Sequence, residues 1–335
     1  MKKLFYQSLF FVIFISIFCF PVFADEKEVL LHFVHLSDTH INYDYLSDKA
    51  KLRKNSGTIL SDAIEQVNNM KEVDFVLITG DLVNLGKEEL VDKFVDITMS
   101  FNPPVYVTLG NHDVGVNTKL GKDGLIKKFY DKENPTSFPN QVPYYSFYPN
   151  DQFVIICLDT TSDKAITSVG FLGDEQLQWL EAELEKNKDR FVIIAIHMSP
   201  IEPVKTPRHF FAEPDRTRLL DLINSNENII GLFSGDYHLA RIIKLQKKIY
   251  VISPATVKYP NAFREIIITR GKKDKEKGKL IVEFKWHTAH NEKLVELSKS
   301  ESESTEISVG SKKDRERIFK FKIPEHMQNE TETGN

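Results

Sequence analysis

Side chains of the types that bind metal ions recur along this chain in short groups, each directly after an apolar run. Carboxylates, an amide and imidazoles can together hold hard or borderline ions. Two such ions a few ångströms apart, with room for a water between them, allow an in-line attack on a phosphate group. In chain order the groups are Asp38-Thr39-His40, Gly80-Asp81, Gly110-Asn111-His112-Asp113, His197 and Gly235-Asp236-Tyr237-His238.

Each of these residues taken alone has an ordinary structural explanation. An aspartate after a strand is often a turn residue or a helix cap, and a single histidine is usually a satisfied core or surface group. The ordered set is different, because placement at five successive strand ends by chance is improbable. Since the carboxyl ends of parallel strands meet at one edge of a sheet, the pattern predicts one shared metal site.

The elements that must position these groups can be predicted from the apolar patterns. Six runs rich in Val and Ile indicate buried strands, and most are separated by segments with helical spacing. The strands are predicted at 30–36, 73–79, 104–109, 153–158, 191–196 and 229–233. The helices are predicted at 58–70, 87–99, 173–186 and 214–224. This alternation indicates a layered α/β domain.

The last third of the chain changes character. Four strand patterns with short turns predict a second, partly antiparallel sheet packed on the first. They lie at 248–253, 263–269, 279–287 and 318–323. Two earlier stretches, 114–150 and 199–214, hold several prolines and are predicted to be irregular. Both follow candidate ligands, so both could wall a substrate cleft.

The length of the chain allows one large domain or two small ones, and we place one main domain at residues 25–297. The chain has 335 residues, and 41% of them are hydrophobic, which is sufficient for a sizeable core. The net charge of −4 argues against a general nucleic-acid-binding surface and leaves a local basic patch open. Residues 298–317 are predicted to form a charged, mobile loop, 318–327 a terminal strand packing on the domain, and 328–335 a disordered tail.

The N-terminus has the pattern of a secretory signal peptide at residues 1–24. Lys2 and Lys3 precede an apolar run at 4–20, and Val22 and Ala24 occupy the two key positions of a cleavage site. We therefore expect cleavage after Ala24 and a periplasmic or secreted protein. The alternative is an uncleaved membrane anchor, because the apolar run approaches spanning length. After cleavage Cys157 would be the one remaining cysteine, and its apolar surroundings predict a buried, inert thiol.

The ordered motifs resemble the calcineurin-like metallophosphoesterase superfamily over about residues 33–260. That superfamily is marked by Asp-x-His, Gly-Asp, Gly-Asn-His-Asp/Glu, a later His and Gly-His-x-His. The most specific match is Gly110-Asn111-His112-Asp113. The resemblance implies a four-layer αββα sandwich, with two mixed β-sheets flanked by helices and a metal site at the strand carboxyl ends. It also implies hydrolysis of phosphate esters with two metal ions as cofactors.

The resemblance further implies a role for each matching residue. A hydroxide between the ions would attack phosphorus, because two cations lower the pKa of bound water. His112 would donate a proton to the leaving-group oxygen or stabilise its charge, and Asp113 would orient His112. The first metal would bind Asp38, His40 and His238, the second would bind Asn111 and His197, and Asp81 would bridge them.

One position departs from the family pattern, because Asp236 stands where the last motif has a histidine. Asp236 could bind the second metal through an oxygen and favour Mn²⁺ or Fe over Zn²⁺. It could also be too short to reach, which would leave the second metal weak or absent, or be an engineered replacement. We expect oxygen ligation, with modest activity that depends strongly on added metal.

The lead hypothesis is an exported phosphodiesterase acting on a small phosphate ester. The alternatives are a phosphomonoesterase or nucleotidase, and a non-catalytic binding protein on a degenerate metallophosphoesterase fold. Membrane contact is expected only if the signal stays uncleaved, and the sequence gives no indication of oligomeric state. His209, beside Arg208 in the second irregular stretch, could contact substrate but is assigned no role.

Overall fold

The computed structural model describes residues 28–42, 52–114, 120–131, 137–162, 167–204, 209–272, 275–302 and 305–328. The signal peptide predicted at 1–24 therefore lies outside the described residues, as do Arg208 and nearly all of the predicted tail. Among the described residues, no helix has both the length and the apolar composition needed to cross a lipid bilayer.

The described residues form fourteen strands and eight α-helices. The strands are β1 Glu28–Leu36, β2 Phe75–Thr79, β3 Val105–Thr108, β4 Tyr145–Asn150, β5 Phe153–Cys157, β6 Val169–Gly170, β7 Phe191–Ala195, β8 Phe210–Phe211, β9 Ile229–Ser234, β10 Arg241–Leu245, β11 Lys248–Ile252, β12 Ala262–Arg270, β13 Lys279–Thr288 and β14 Arg317–Lys322. The helices are α1 Ser56–Asn68, α2 Glu88–Thr98, α3 Gly121–Asp131, α4 Gly173–Lys186, α5 Asp215–Ser225, α6 Glu292–Ser300, α7 Thr305–Val309 and α8 Lys312–Arg315.

Two six-stranded mixed sheets carry the fold. The first has the order β14-β13-β12-β1-β2-β3, and β1, β2 and β3 run parallel to one another. The second has the order β10-β11-β9-β7-β5-β4, with β5, β7, β9 and β11 parallel and the two edge strands antiparallel. Every residue of β2, β5, β7, β9 and β11 is buried, as expected for strands covered on both faces.

The packing of these sheets confirms the predicted four-layer sandwich. One hydrophobic core joins the two sheets to each other and to α1, α2 and α3, and the rings of Phe33 and Phe233 meet there across the sheets at 5.3 Å. A separate core holds α4 and α5 on the outer face of the second sheet, where Leu180 and Leu219 are fully buried. The parallel strands of both sheets therefore end at one edge of the sandwich.

The prediction that 114–150 and 199–214 are irregular is wrong in part. The first stretch contains α3 and β4, and the second contains β8, which pairs with β6. Short amphipathic patterns lie between the prolines and glycines of these stretches, and they are enough to form the elements. Leu125, Ile126 and Phe129 are buried on α3, while Tyr145 and Phe147 alternate inward on β4.

The prediction of a loop at 298–317 is also wrong in part, because this segment contains the end of α6 and the short helices α7 and α8. A capping box begins α8, in which the Ser311 hydroxyl and the Asp314 carboxylate satisfy the first backbone N–H groups. Asp314 also accepts the backbone N–H of Ile242 in β10 at 3.2 Å. Local capping thus overrides a composition that is typical of disorder. The next segment, β14, pairs with β13 as an edge strand of the first sheet.

Candidate metal centre

The candidate residues from both sheets meet at the shared strand edge. Backbone hydrogen bonds join the loops after β1 and β2, with the N–H of Asp38 donating to Gly80 O at 3.1 Å and that of His40 to Asp81 O at 2.8 Å. A further bond, from the N–H of Gly235 to His197 O at 3.1 Å, joins the loops after β9 and β7. These backbone hydrogen bonds therefore fix the positions of the Cα atoms that carry the candidate ligands.

Two motif glycines allow the loops to approach this closely. A Cβ atom at Gly80, whose φ is +78°, would lie 2.6 Å from Cγ of His197. A Cβ at Gly235 would lie 2.5 Å from Oδ2 of Asp38 and closer still to the Ser37 hydroxyl. Contacts this short would force a candidate ligand to move, so glycine is required at both positions.

Five candidate ligands have left-handed backbone conformations, which are rare for residues other than glycine. Each such residue costs on the order of 1–3 kcal/mol and persists only when its surroundings hold it there. The clustering of these conformations at one edge indicates a functional site. The residues and φ angles are Asp38 at 53°, His40 at 40°, Asp81 at 49°, Asp236 at 63° and His238 at 54°.

The first half-site comprises Asp38, His40, Asp81 and His238. One ligand atom from each of these residues lies within 4.8 Å of the other three. Nε2 of His238 is 3.0 Å from Oδ1 of Asp38 and 3.5 Å from Nε2 of His40. Nitrogen and carboxylate oxygen atoms gathered this closely could hold a single cation.

The second half-site comprises Asn111, His197 and Asp236, together with the shared Asp81. Nε2 of His197 lies 3.4 Å from Oδ1 of Asp81 and 3.8 Å from Oδ1 of Asp236. Oδ1 of Asn111 and Nε2 of His197 are both buried and have no hydrogen-bond partner within the described parts of the chain. Buried polar atoms of this kind need an explanation, and a bound cation supplies one.

His197 is oriented from behind by the backbone. Its Nδ1 lies 2.7 Å from the carbonyl oxygen of Thr79, which can only accept, so Nδ1 carries a proton and Nε2 faces the site. Burial alone would lower the pKa of His197, but the carboxylates of Asp81, Asp38 and Asp236 raise it well above its ordinary value. A cation would therefore compete with a proton for Nε2.

Asp81 joins the two half-sites. Its Oδ2 lies 3.4 Å from Nε2 of His40, and its Oδ1 lies 3.4 Å from Nε2 of His197, so each oxygen faces one half. Burial alone would raise the pKa of Asp81, but His197, His112 and His40 hold it well below its usual range. An ionised carboxylate with one oxygen on each side can bridge two ions.

His112 stands beside the first half-site and remains partly exposed. Its ring meets that of His40 edge-on at 4.7 Å, and its Nε2 lies 3.9 Å from Oδ2 of Asp81. Its Nδ1 lies 2.9 Å from the carbonyl oxygen of Asn84, which holds the ring so that Nε2 faces the site. This contact could not be predicted from the sequence, because every residue has a backbone carbonyl.

The expectation that Asp113 orients the His112 ring is not met. The Asp113 carboxylate instead accepts the backbone N–H groups of Val83 at 2.9 Å and Gly110 at 2.8 Å. Burial, with a further effect of Asp81, raises the pKa of Asp113 to about 7. Asp113 therefore holds the loop that carries His112 rather than its imidazole.

Asp236 reaches the second half-site and contacts a histidine that sequence reasoning left unassigned. Its Oδ2 lies 2.8 Å from Nδ1 of His209, the residue directly before β8. Burial raises the pKa of Asp236, and the nearby imidazoles oppose that effect. The 3.8 Å separation from His197 disfavours the interpretation that Asp236 is too short to reach the second metal.

Cys157 lies outside this cluster and has a structural role. It is fully buried in the core between the sheets, and burial raises its thiol pKa to about 12. A thiol that stays protonated is a poor nucleophile, so the prediction of a buried, inert cysteine is confirmed.

Comparisons with known proteins show what this chain is similar to. A family model described as calcineurin-like phosphoesterase matches residues 31–240. A probable glycerophosphodiester phosphodiesterase from Arcobacter nitrofigilis is 29% identical over 67% of this chain and 77% of its own length. A probable cyclic nucleotide phosphodiesterase from Fibrobacter succinogenes is 26% identical over 69% of this chain and 81% of its own.

Solved structures show the same fold at lower identity. A dimetal phosphatase from Danio rerio superposes with a TM-score of 0.58 at 15% identity, covering 76% of this chain and 96% of that one. The inner-membrane-complex anchor GAP50 of Plasmodium superposes with a TM-score of 0.53 at 13% identity, covering 88% and 89%. At these identities the likeness concerns the fold alone.

Proposed function

This chain belongs to the calcineurin-like phosphoesterase family, and we propose that it hydrolyses small phosphate diesters with two bound metal ions. It is a metal-dependent phosphoric ester hydrolase, as its family and its relatives indicate. The geometry of Asp81 carries the two-metal proposal, because its two oxygens each lie 3.4 Å from an imidazole of a different half-site.

The residues present fit two cations. Asp38, His40 and His238 would hold the first, and Asn111, His197 and Asp236 the second, with Asp81 shared. The buried Oδ1 of Asn111 and Nε2 of His197 match this demand. When bound, the ions would supply an activated water and stabilise negative charge on the phosphoryl group. Mn²⁺ or Fe is proposed over Zn²⁺, because a carboxylate at 236 makes the donor set richer in oxygen.

His112 would assist the leaving group. The Asn84 carbonyl accepts the Nδ1 proton, so Nε2 is the atom available to give a proton to the departing oxygen. Asp113 would act indirectly, since its bonds to the N–H groups of Val83 and Gly110 keep the loop in place. Partial exposure of His112 leaves room for a substrate oxygen beside it.

A diester fits the charge of the site better than a monoester. The carboxylates of Asp38, Asp81 and Asp236 cancel most of the charge of two divalent ions. A diester carries one negative charge and a monoester about two at neutral pH, so the extra carboxylate at 236 penalises the monoester more. Relatives described as glycerophosphodiester and cyclic nucleotide phosphodiesterases also support a small diester. A phosphomonoesterase remains the alternative.

Export is part of this proposal and rests on the sequence of residues 1–24. The basic start, apolar run and Val22-x-Ala24 pattern support cleavage after Ala24 and a periplasmic or secreted enzyme. Determining the N-terminal residue of the protein recovered from cells tests this directly. A mature chain beginning at Asp25 is expected, and an intact N-terminus in the membrane fraction would contradict it.

Hydrolysis of bis-p-nitrophenyl phosphate and p-nitrophenyl phosphate tests the activity. The mature chain is stripped of metal and assayed with Mn²⁺, Fe²⁺, Zn²⁺ or Mg²⁺, beside His112→Ala and the exposed-site control His290→Ala. We expect metal-dependent turnover with the diester preferred. Diester turnover should fall about 10²–10⁴-fold in His112→Ala and stay unchanged in His290→Ala.

The other outcomes separate the alternatives. Faster hydrolysis of the monoester would favour a phosphomonoesterase. Metal binding without turnover of either compound would favour the non-catalytic binding protein, for which the replacement at Asp236 is the supporting observation.

A further inference from the structure

We infer that His209 is a positioning residue of the second half-site, which holds Asp236 so that this carboxylate can bind metal where the family pattern has an imidazole. This inference rests on the proposed function, because it concerns the second of the two metal positions. It gives a role to a histidine that lies outside the family motifs and directly before β8.

The two oxygens of Asp236 are divided between two neighbours. Oδ2 lies 2.8 Å from Nδ1 of His209, while Oδ1 points to the other side, 3.8 Å from Nε2 of His197. Two atoms that bind one ion at about 2.0–2.2 Å lie roughly 3–4 Å apart, so the second distance suits a shared ion. One oxygen is thus available for a metal and the other is occupied by His209.

His209 is itself held in place by the chain segment that carries it. The Tyr237 hydroxyl donates to the carbonyl oxygen of His209 at 2.8 Å, and the two rings lie 5.3 Å apart. The next residue, Phe210, pairs with Val169 in the small β6–β8 sheet. An imidazole fixed from both sides can define the rotation of a neighbouring carboxylate.

A carboxylate at 236 needs such a partner more than a histidine would. Asp236 is 4% exposed, and burying an ionised carboxylate is costly unless hydrogen bonds stabilise its charge. An N–H group from His209 supplies one of these bonds and leaves Oδ1 for the ion. Loss of a partner of this kind typically weakens metal binding about 10–100-fold.

The test is a titration of the metal-stripped mature chain with Co²⁺. Calorimetry and the visible absorption of the bound ion monitor the binding. We expect two binding steps in the parent chain. In His209→Ala the weaker step should lose about 10–100-fold in affinity and its absorption spectrum should change, while the tighter step stays. His209→Asn should recover much of the loss, because its side-chain amide places an N–H near the position of Nδ1.

A second background makes the test specific. Asp236→His restores the residue of the family pattern, and a neutral imidazole there has no buried negative charge for His209 to stabilise. In that background His209→Ala should leave both binding steps unchanged. Equal weakening in both backgrounds would overturn the inference, since His209 would then act on the metal or on the fold directly. An unchanged weaker step in His209→Ala with Asp236 present would overturn it as well.

Failure of the proposed function has a different signature. A parent chain with no second binding step would refute the two-metal site, and this inference with it. A parent chain with two steps that ignore His209 would overturn this inference alone. Thermal unfolding of each metal-free variant shows whether a lost step reflects a lost fold.

Discussion

The two half-sites share Asp81 but are built differently. The first draws on strand-end loops alone, and its four ligand atoms already lie within 4.8 Å of one another. The second includes Asp236, which shares a hydrogen bond with His209, the residue directly before β8. We therefore expect the first half-site to bind metal tightly, and the second to fill only when metal is added.

The largest effect should come from Asp81→Ala, which breaks both half-sites at once. Removing the shared carboxylate takes a ligand from each ion, and the N–H of His112 also loses its 2.9 Å bond to Oδ1. Since metal ions contribute several kcal/mol to such reactions, diester turnover should fall on the order of 10³–10⁵-fold. Steady-state kinetics and metal analysis check this, with exposed Asp221→Ala as the control. Retention of two bound ions would contradict the bridging role.

His238→Ala and His197→Ala should each weaken metal binding at one half-site only. Each removes one imidazole, so the first variant should lose the tight binding step and the second the weak one. Each loss should exceed the roughly 10–100-fold typical of an outer partner, because a direct ligand is removed. Titration of the metal-stripped variants measures both steps. Loss of the same step in both variants would mean that the chain holds a single ion.

Asp236→His should make the halves more alike. An imidazole carries no buried negative charge that His209 must stabilise, and it is a softer donor. The second step should therefore tighten, and its preference should move toward Zn²⁺. Diester turnover without added metal should then rise a few-fold by this reasoning. Equal metal content and turnover in the variant and the parent would count against Asp236 as a ligand.

The smallest expected effect is on stability and concerns Asp113, which holds the loop of Asn111 and His112 through hydrogen bonds to Val83 and Gly110. With a pKa of about 7 in the folded chain, Asp113 keeps a proton that the unfolded chain loses near 3.8. The folded state then binds more protons between these values, so this residue makes stability fall as pH rises from about 4 to about 7. Asp113→Asn should remove that part of the slope.

Urea unfolding of the metal-stripped chain between pH 4 and 8 measures this slope. With metal added, the charge of Asp81 is offset and the difference between the variant and the parent should shrink. Parallel stability profiles of the two chains without metal would contradict the raised pKa.

The sequence predicted well which side chains lie together at the sheet edge, because strand ends are simple to locate. Apolar runs such as 191–196 indicate a buried strand, and the polar residue that follows must lie at the sheet edge. The ligand roles themselves remain predictions. What the structure adds is that Asp38, Asp81 and His197, which are far apart in the chain, point into one site.

The contacts that orient the side chains of the site could not be predicted from the sequence. Asn84 and Thr79 act through backbone carbonyls, which every residue possesses. Asp113 was assigned to the wrong partner, because its sequence neighbour His112 is not the group it touches. His209 lies in a proline-rich stretch without periodicity, so nothing in the pattern placed it beside Asp236.

The first half-site also bears on how the sandwich opens. Asp38, His40 and Asp81 follow strands of the first sheet, while His238 follows a strand of the second. An ion held by all four would therefore cross-link the two sheets, and it would stabilise the folded chain by about 2.7 kcal/mol at a hundred times its dissociation constant. Chelation should let the two sheets separate more often, which would appear as faster amide hydrogen exchange along β1 and β9.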